Sequence, residues 1–300
     1  MQILDIPLEF QPKYVSTYPG YSSGKNMEEI FFDMFQKNKD TIKTDYIYIP
    51  VFWTSYYITH GYANNIKPLY DWMNRLDSTK KYFTIVQYDS GIFVDKSDFN
   101  IDITVFSAGG GGINVKGELS EKQLRYHGLT RYVFNGDKGD YDIPLMCLPI
   151  FPCINTNKDI FCSFMGRFDT HYCRINMYNV LNSNNKYKLF KSVNFEKYKE
   201  ILNRSIFTLA PRGYGYTSFR LYEAIQANSI PVYIYQDKIS LPFNDVLNWE
   251  DFCVIINNED IQKLPEILDS VDIEKKQTNL LKVKNHFTFN ETFKYIINKL

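Results

Sequence analysis

A glycine-containing loop in the second half of the chain, with the sequence PRGYG at residues 211–215, has the clearest chemical potential. Gly213 and Gly215 permit a sharp bend and a close approach of the backbone to a ligand. The start of the helix predicted to follow offers free N–H groups and a positive dipole end, which suit a phosphate. Arg212, just before the bend, can add a bidentate charge-assisted contact. The loop therefore indicates a site for a phosphorylated ligand.

The helix after this loop is predicted to be capped by Thr217 or Ser218, and its first turns carry Arg220 and Glu223. Residues three apart on a helix share a face, so this guanidinium and this carboxylate are neighbours. A carboxylate about one turn behind a phosphate site is placed to accept hydrogen bonds from ribose hydroxyls. A plain glycine turn with a surface Arg–Glu ion pair would use the same residues, so spacing alone leaves both interpretations open.

A dinucleotide-binding enzyme is an alternative for this segment. The pattern at residues 213–218 is similar to the G-x-G-x-x-G fingerprint, and Asp237 follows about 20 residues later at a predicted strand end. This alternative predicts an NAD(P)-dependent oxidoreductase. Against it, Tyr214 and Tyr216 are bulky for a pyrophosphate turn, and Ser218 stands at the third glycine position.

The longer sequence around the loop favours a different family. The words PRGYGYTSFRLYEAIQANSIPVYI (211–234) and LPF (241–243) resemble the signature of the exostosin family, glycosyltransferase family 47. Weaker similarities are Phe-Met-Gly-Arg at 164–167, Asp-Ile-Pro at 142–144 and Asp-Ser-Gly at 89–91. Altogether the resemblance covers about residues 80 to 245.

This resemblance implies a GT-B fold, an α/β architecture of two Rossmann-like domains facing a cleft, in which the C-terminal domain holds a nucleotide sugar. It implies an inverting transfer from a UDP-sugar to a hydroxyl of a glycan acceptor, with a β-linked product and no metal or other cofactor. Retaining GT-B enzymes often carry a second glutamate eight positions after the first, where this chain has Pro231. The compact chain resembles the versions found in large algal viruses, which suggests UDP-xylose as the donor.

The resemblance also assigns roles to residues. Glu223 would hold the ribose, and arginines with the amides near the helix start would neutralise the diphosphate as it leaves. The predicted substrate-binding residues are Arg167, Arg212, Gly213, Tyr214, Gly215, Thr217, Ser218, Arg220 and Glu223.

An inverting transfer also needs a general base, which we expect from the first domain. Asp89 follows the predicted strand YFTIVQY, where α/β sheets place catalytic side chains, and Gly91 permits a tight turn there. An aspartate that only caps this turn would look the same. His60 and Asp71 are the other candidates for the base.

Three other groups of residues have types that could bind a ligand or a metal. The run AGGGG at 108–112 follows a predicted strand and is either a ligand-facing loop or a flexible turn. Asp137, Asp140 and Asp142 are more typical of a solvated loop than of a metal site. The histidines lack metal-ligand spacing, and the five cysteines contain no C-x-x-C pair, so we expect reduced thiols and no zinc or disulfide framework.

Strands that alternate with helices position these residues and predict parallel sheets. Strands are predicted at 45–53, 82–88, 101–106, 160–165, 206–210, 230–235 and 252–256. Helices are predicted at 66–76, 172–181, 195–203 and 218–227, and over the last 40 residues, which end in an amphipathic segment at 292–300. A proline-spaced run at 143–157 interrupts the periodicity. We therefore predict an acceptor-binding domain over 1–155 and a nucleotide-sugar-binding domain over 156–300, whose last helix can pack back on the first.

The composition argues against two classes of protein, general nucleic-acid binders and membrane-spanning proteins. The 300 residues carry 34 Lys plus Arg and 34 Asp plus Glu, so the net charge is zero, unlike that of a general nucleic-acid binder. No apolar run approaches the roughly 20 residues of a membrane span. The first residues lack the pattern of a signal peptide, so we expect a soluble cytoplasmic protein. A non-catalytic nucleotide- or carbohydrate-binding protein on the same fold is the remaining alternative.

Overall fold

A computed structural model describes residues 1–14, 24–60, 66–92, 99–111, 139–147 and 157–300. The chain forms two compact units, Met1–Ile143 with Thr292–Leu300 and Pro144–Glu291. Each unit contains one five-stranded sheet in which all neighbouring strands are parallel. The predicted α/β class with two Rossmann-like units is confirmed. The predicted boundary between residues 155 and 156 lies outside the described residues.

The sheet of the first unit has its strands in chain order. They are β1 (Gln2–Ile3), β2 (Tyr46–Tyr48), β3 (Lys81–Val86), β4 (Asp102–Ser107) and β5 (Tyr141–Asp142). The helices α1 (Met27–Asn38), α2 (Trp53–Thr59) and α3 (Lys67–Met73) connect them. Five of the six residues of β3 are buried, as expected for a parallel strand covered on both faces.

Two features of the first unit differ from the sequence prediction. The predicted strand over 45–53 is wrong in its second half, because β2 ends at Tyr48 and Trp53 begins α2. A continuous apolar run does not by itself distinguish a strand from the start of a buried helix. The helix α1 was not predicted, although Asn26 and Glu29 form a capping box at its start.

The second unit contains β6 (Ile160–Met165), β7 (Tyr187–Phe190), β8 (Ser205–Pro211), β9 (Ile230–Tyr235) and β10 (Val254–Asn257), in the order β10-β9-β8-β6-β7. Its helices are α4 (Tyr172–Leu181), α5 (Phe195–Arg204), α6 (Phe219–Gln226), α7 (Leu264–Ser270) and α8 (Ile273–Val283). The chain leaves β6 towards β7 and returns as β8 on the other side of β6. Open α/β sheets bind ligands outside the carboxyl ends of the strands at such a reversal.

The last helix, α9 (Phe289–Lys299), returns to the first unit over its final turns. The ring of Phe293 lies 4.6 Å from that of Phe35 on α1, and Thr44 donates a hydrogen bond to the carbonyl of Leu300. The first unit is therefore completed by the end of the chain.

Neither thiol pairing nor a membrane span is visible in the described part of the chain. Cys147, Cys162, Cys173 and Cys253 are free and buried, and Cys153 lies outside that part. Within the same ranges, no helix is both long and apolar enough to cross a membrane.

Candidate functional site

The predicted phosphate site lies at the carboxyl ends of β6 and β8, the two adjacent strands at the reversal of the second sheet. Arg174 on α4 joins the two strand ends. Its Nε donates to the carbonyl of Arg212 after β8, and its Nη1 donates to the carbonyl of Arg167 after β6, both at 3.0 Å. The main chain at both arginines predicted from the sequence is thus held by a third arginine.

The sequence does not predict a role for Arg174. An arginine on a helix is usually solvated, whereas this side chain is buried and its Cζ lies 5.7 Å from the ring centroid of Phe164. A Cβ at position 213 would lie only 3.0 Å from Nη2 of Arg174. Gly213 therefore lets the loop pack closely on this guanidinium without displacing it, and no local pattern could have shown this contact.

The Arg212 side chain is packed inside the glycine loop, with 1% of its surface exposed. Its Nη2 donates to the carbonyl of Tyr214 at 3.3 Å, and its Cζ lies 4.3 Å from the ring centroid of Tyr216. The Tyr216 carbonyl in turn accepts a hydrogen bond from the Tyr233 hydroxyl at 2.7 Å. A fixed positive charge therefore stabilises the loop from within.

Helix α6 begins directly after this loop. Ser218 is its N-cap and accepts a hydrogen bond from the amide of Arg220, so the choice between Thr217 and Ser218 falls on Ser218. The Thr217 hydroxyl lies 3.2 Å from that of Tyr222. The amide of Leu221 bonds to the Ser218 carbonyl, so Ser218 closes the start of α6 directly after the loop.

Glu223, one turn further along α6, is 5% exposed. One carboxylate oxygen accepts from the Cys147 thiol at 3.4 Å and the other accepts from the Tyr198 hydroxyl. Burial raises the pKa of Glu223, whereas these donors and the charge of Arg220 lower it. A carboxylate has about four acceptor positions, so each oxygen retains capacity for a further donor.

Arg220 is also buried, and its Cζ lies 4.7 Å from the ring of Phe164. A Cβ at Gly166 would fall 2.6 Å from its Nη2, so the glycine after β6 makes room for this guanidinium. A surface ion pair between Arg220 and Glu223 is therefore excluded, because both side chains are inside the unit.

Arg167 and His171 complete the strand edge in different ways. Arg167 is half-exposed and forms a bidentate ion pair with Asp169, at 3.0 and 3.1 Å. His171 is buried at the N-cap of α4 and accepts from the amide of Cys173. Burial and the charges of Arg212 and Arg174 lower its pKa to about 3. The imidazole is therefore neutral beside two guanidinium groups.

The first unit holds the predicted base in a tight turn after β3. Asp89 is half-buried, and Ser90 donates its hydroxyl to Oδ1 of Asp89 at 3.2 Å. Gly91 has a φ of 71° and donates to the carbonyl of Tyr88, which confirms the turn that the glycine predicted.

The reserve candidates for the base have other contacts. His60 stacks on Tyr56 at a centroid distance of 4.2 Å. Asp71 forms an exposed ion pair with Lys67 on α3. Asp89 thus remains the candidate that lies at the carboxyl edge of the sheet, directly after a central strand.

The remaining carboxylates and glycines have structural contacts where they are described. Asp140 accepts from the amide of Val105, which binds its carboxylate to β4. The described residues contain no group of three His, Cys, Asp or Glu side chains able to hold a metal ion. Asp137 and Gly112 lie outside the described residues.

A two-unit parallel α/β protein with an arginine-lined loop–helix junction at a sheet reversal has the features of a nucleotide-binding protein. Residues 151–271 match the family model of the Exostosin GT47 domain, which confirms the resemblance for that segment.

Curated relatives agree with this match. The chain is 40% identical over 97 residues to a probable glycosyltransferase of Arabidopsis thaliana, which is 31% of this chain and 20% of that protein. It is 42% identical over 77 residues to a probable glucuronosyltransferase of Oryza sativa subsp. japonica, covering 26% of this chain and 18% of that protein. The matched segments thus span about a fifth of these relatives.

Among solved structures, the chain is similar to the crystal structure of TarM, with a TM-score of 0.43 and 10% identity. The superposition covers 88% of this chain and 56% of that one.

Proposed function

We propose that this protein is a glycosyltransferase that transfers a sugar from a UDP-sugar to a hydroxyl of a glycan acceptor with inversion. The observation that carries the proposal is the junction of β8 with α6, where Arg212, the glycine loop and the Ser218-capped helix end meet within the segment that matches the exostosin domain. A fixed positive charge beside the start of a helix, at one strand edge, suits a nucleoside diphosphate.

In this proposal the second unit binds the donor. Glu223 accepts hydrogen bonds from the ribose hydroxyls through the acceptor positions that Tyr198 and Cys147 leave open. Arg212 and Arg167, with the amides near Thr217 and Ser218, neutralise the negative charge that grows on the departing diphosphate. No step requires a metal or a further cofactor.

The first unit supplies the acceptor site and the base. Asp89 removes the proton of the acceptor hydroxyl, whose oxygen then attacks the anomeric carbon on the face opposite the diphosphate. The transition state resembles an oxocarbenium ion, as in glycoside hydrolysis. An α-linked donor then gives a β-linked product.

Two donors are favoured over other sugar nucleotides. The resemblance to compact exostosin-like proteins suggests UDP-xylose, whereas the rice relative is named a glucuronosyltransferase, which suggests UDP-glucuronic acid. A second class, an NAD(P)-dependent oxidoreductase, is disfavoured by the bulky Tyr214 and Tyr216 in the loop. A binding protein without turnover would keep the donor contacts and transfer nothing.

A ligand screen followed by product analysis tests the proposal. A ligand at 100 times its dissociation constant adds about 2.7 kcal/mol of apparent stability, so thermal shifts with UDP-sugars, GDP-sugars and NAD should rank the ligands. The donor that stabilises is then incubated with a panel of glycosides, and NMR of the product gives the anomeric configuration. An α-linked product, stabilisation by NAD alone, or binding without transfer would each overturn the proposal.

A further inference from the structure

A group of buried polar side chains lies where β3 ends and the helices α1 and α2 begin, and the proposed function does not use it. Its members are 8% exposed or less: Asn26, Glu28, Thr54, Ser55 and Gln87. Buried polar groups at this density are kept when their hydrogen bonds fix a geometry. Gln87 lies two residues before Asp89, so this polar cluster is connected directly to the turn that holds the proposed base.

Glu28 is the centre of the polar cluster and is fully buried. Its Oε1 accepts three hydrogen bonds, from the amide of Gln87 at 2.9 Å and from the amide and hydroxyl of Thr54 at 3.1 and 2.8 Å. One carboxylate oxygen thus ties the end of β3 to the start of α2, while the residue itself belongs to α1. An acidic residue in the first turn of a helix is usually solvated and interacts only with the helix dipole, whereas Glu28 is buried and binds two other elements.

The side chain of Gln87 also holds the end of β3 in place, through hydrogen bonds to the start of α1. Its Oε1 accepts from the amide of Met27 at 2.8 Å, and its Nε2 donates to Oδ1 of Asn26 at 3.3 Å. Both the main chain and the side chain of Gln87 are therefore bound to the start of α1.

Gly109, which follows β4, packs closely against the backbone of residues 87–89. A Cβ at Gly109 would lie 2.6 Å from the Tyr88 carbonyl oxygen and 2.7 Å from Cα of Asp89 and from the Gln87 carbonyl oxygen. Real Cβ atoms do not approach backbone so closely, and backbone held at both ends cannot move aside cheaply. Residues 87–89 are thus enclosed by the polar cluster and by Gly109.

From these contacts we infer that Glu28 is a positioning residue that sets the carboxylate of Asp89 for proton removal from the acceptor hydroxyl. The inference rests on the proposed function, because it assigns Glu28 a part in that reaction. General base catalysis requires the base within about 3 Å of the proton it takes, so a small shift of the turn is costly. Glu28 acts through the amide of Gln87 and does not itself touch substrate.

The Gln and Leu variants of Glu28 separate this role from a purely structural one. Burial raises the pKa of Glu28, which favours the neutral acid, and the amide of Glu28→Gln keeps an oxygen for the Gln87 and Thr54 donors. Glu28→Leu keeps the volume and removes the acceptor. Misplacement by about 1 Å costs up to about 10²-fold, so we expect Glu28→Leu to lower kcat by 10- to 100-fold and Glu28→Gln to recover most of it.

The KM for the donor should stay as in the wild type in both variants, because the second unit holds the nucleotide sugar. Phe35→Leu is the matched control: Phe35 is a buried residue of the same helix that packs on Tyr48 and Phe83, away from Gln87. It should lower the melting temperature without the loss in kcat. An equal loss of kcat in Phe35→Leu would overturn the inference.

A double-mutant cycle with Asp89→Asn decides whether Glu28 acts through Asp89. If it does, Glu28→Leu should cost little further in the Asp89→Asn background, because the group being positioned is already inactive. Additive losses would overturn the inference. Should Glu28→Leu fail to fold, Thr54→Val removes the hydroxyl donor to the same Glu28 oxygen and should show a smaller loss of kcat with the same non-additivity. A wild type that transfers no sugar with any donor would instead overturn the proposed function.

Discussion

At the scale of single residues, the charged side chains of the donor site are buried and held by hydrogen bonds. Arg212 and Arg174 are joined through the Arg212 carbonyl, and Glu223 is held by Tyr198 and Cys147. Burying a charge is costly unless it has partners, so these residues are fixed before any ligand arrives. Substitutions at them should therefore change ligand binding or turnover strongly.

The first residue prediction concerns Glu223 and nucleotide affinity. Each hydrogen bond to a charged group contributes about 1.5–3 kcal/mol, so Glu223→Ala should weaken UDP binding by about tenfold or more, measured by calorimetry. Circular dichroism controls for folding, and Tyr198→Phe serves as a matched variant that removes a neighbour of the carboxylate but not the carboxylate. Unchanged UDP affinity in folded Glu223→Ala protein would show that the ribose role is wrong.

A second residue prediction separates the shape of Arg212 from its charge. Its planar group stacks on Tyr216 and also donates to Tyr214, which a lysine ammonium cannot do together. Arg212→Lys should therefore reduce kcat more than it raises the donor KM, because negative charge on the diphosphate increases in the transition state. Steady-state kinetics with a saturating acceptor measures both, and wild-type turnover would refute a role that needs the guanidinium.

The third residue prediction concerns Asp89, the proposed base. Asp89→Asn keeps the shape of the side chain and an oxygen for the Ser90 hydroxyl, so the turn should persist. The amide cannot take a proton, and transfer should fall by at least about 10²-fold while UDP affinity stays constant. If transfer continues at the wild-type rate, Asp89 only caps its turn, and His60 becomes the next candidate.

At the scale of elements, the donor site depends on how helix starts meet strand ends. Helix α4 begins at His171, which accepts from the amide of Cys173 only while its Nδ1 carries no proton. Its pKa in the fold is about 3, below the ordinary 6.5, because of burial and the two arginines. The unfolded chain therefore binds this proton at a pH where the folded chain does not.

This difference predicts an acid-dependent loss of stability. His171 should contribute a slope of at most about 1.4 kcal/mol per pH unit, with stability falling as the pH falls from about 6.5 towards 3. His171→Asn keeps a capping oxygen but cannot titrate, so its urea-unfolding free energy should fall less steeply over that range than the wild type's. Parallel pH profiles of the two proteins would show that His171 is not held neutral.

Most elements of the second unit were predicted because local pattern decides them, although the short edge strand β7 (Tyr187–Phe190) was not. The bounds of β6, α4 and β9 agree with the sequence prediction residue for residue, since each is a compact apolar or amphipathic segment between breakers. Thr217 and Ser218 were indistinguishable as caps, because both have a hydroxyl and only the backbone geometry selects one.

Residues that act through distant contacts were not predictable. Arg174 and Glu28 look like ordinary solvated charges on helices, and only the tertiary fold buries them against segments 38 and 59 residues away in the chain. The sequence shows that His171 lacks metal-ligand spacing, whereas its place as the N-cap of α4 beside Arg212 and Arg174 depends on the tertiary fold. Single-sequence patterns describe neighbours up to about four residues apart and carry no information on such contacts.

At the scale of the whole molecule, the chain has two compact units, each with its own parallel sheet. The first unit includes the last residues of the chain, and the segment that forms the second unit, Pro144–Glu291, is inserted between its two sequence segments. Because the proposed donor contacts belong to the second unit alone, donor binding should be visible there even when no acceptor is present.

Hydrogen exchange with and without UDP tests this division. UDP should slow exchange of amides after β6 and β8, around Gly166 and Gly213–Ser218, since ligand binding suppresses the local opening that exchange requires. Peptides covering α1 and β2 in the first unit are the internal control and should exchange as in the free protein. The Glu223→Ala variant should lose the protection at the same UDP concentration. Protection confined to the first unit, or produced by NAD and not by UDP, would contradict the assignment of the nucleotide to the β6–β8 edge.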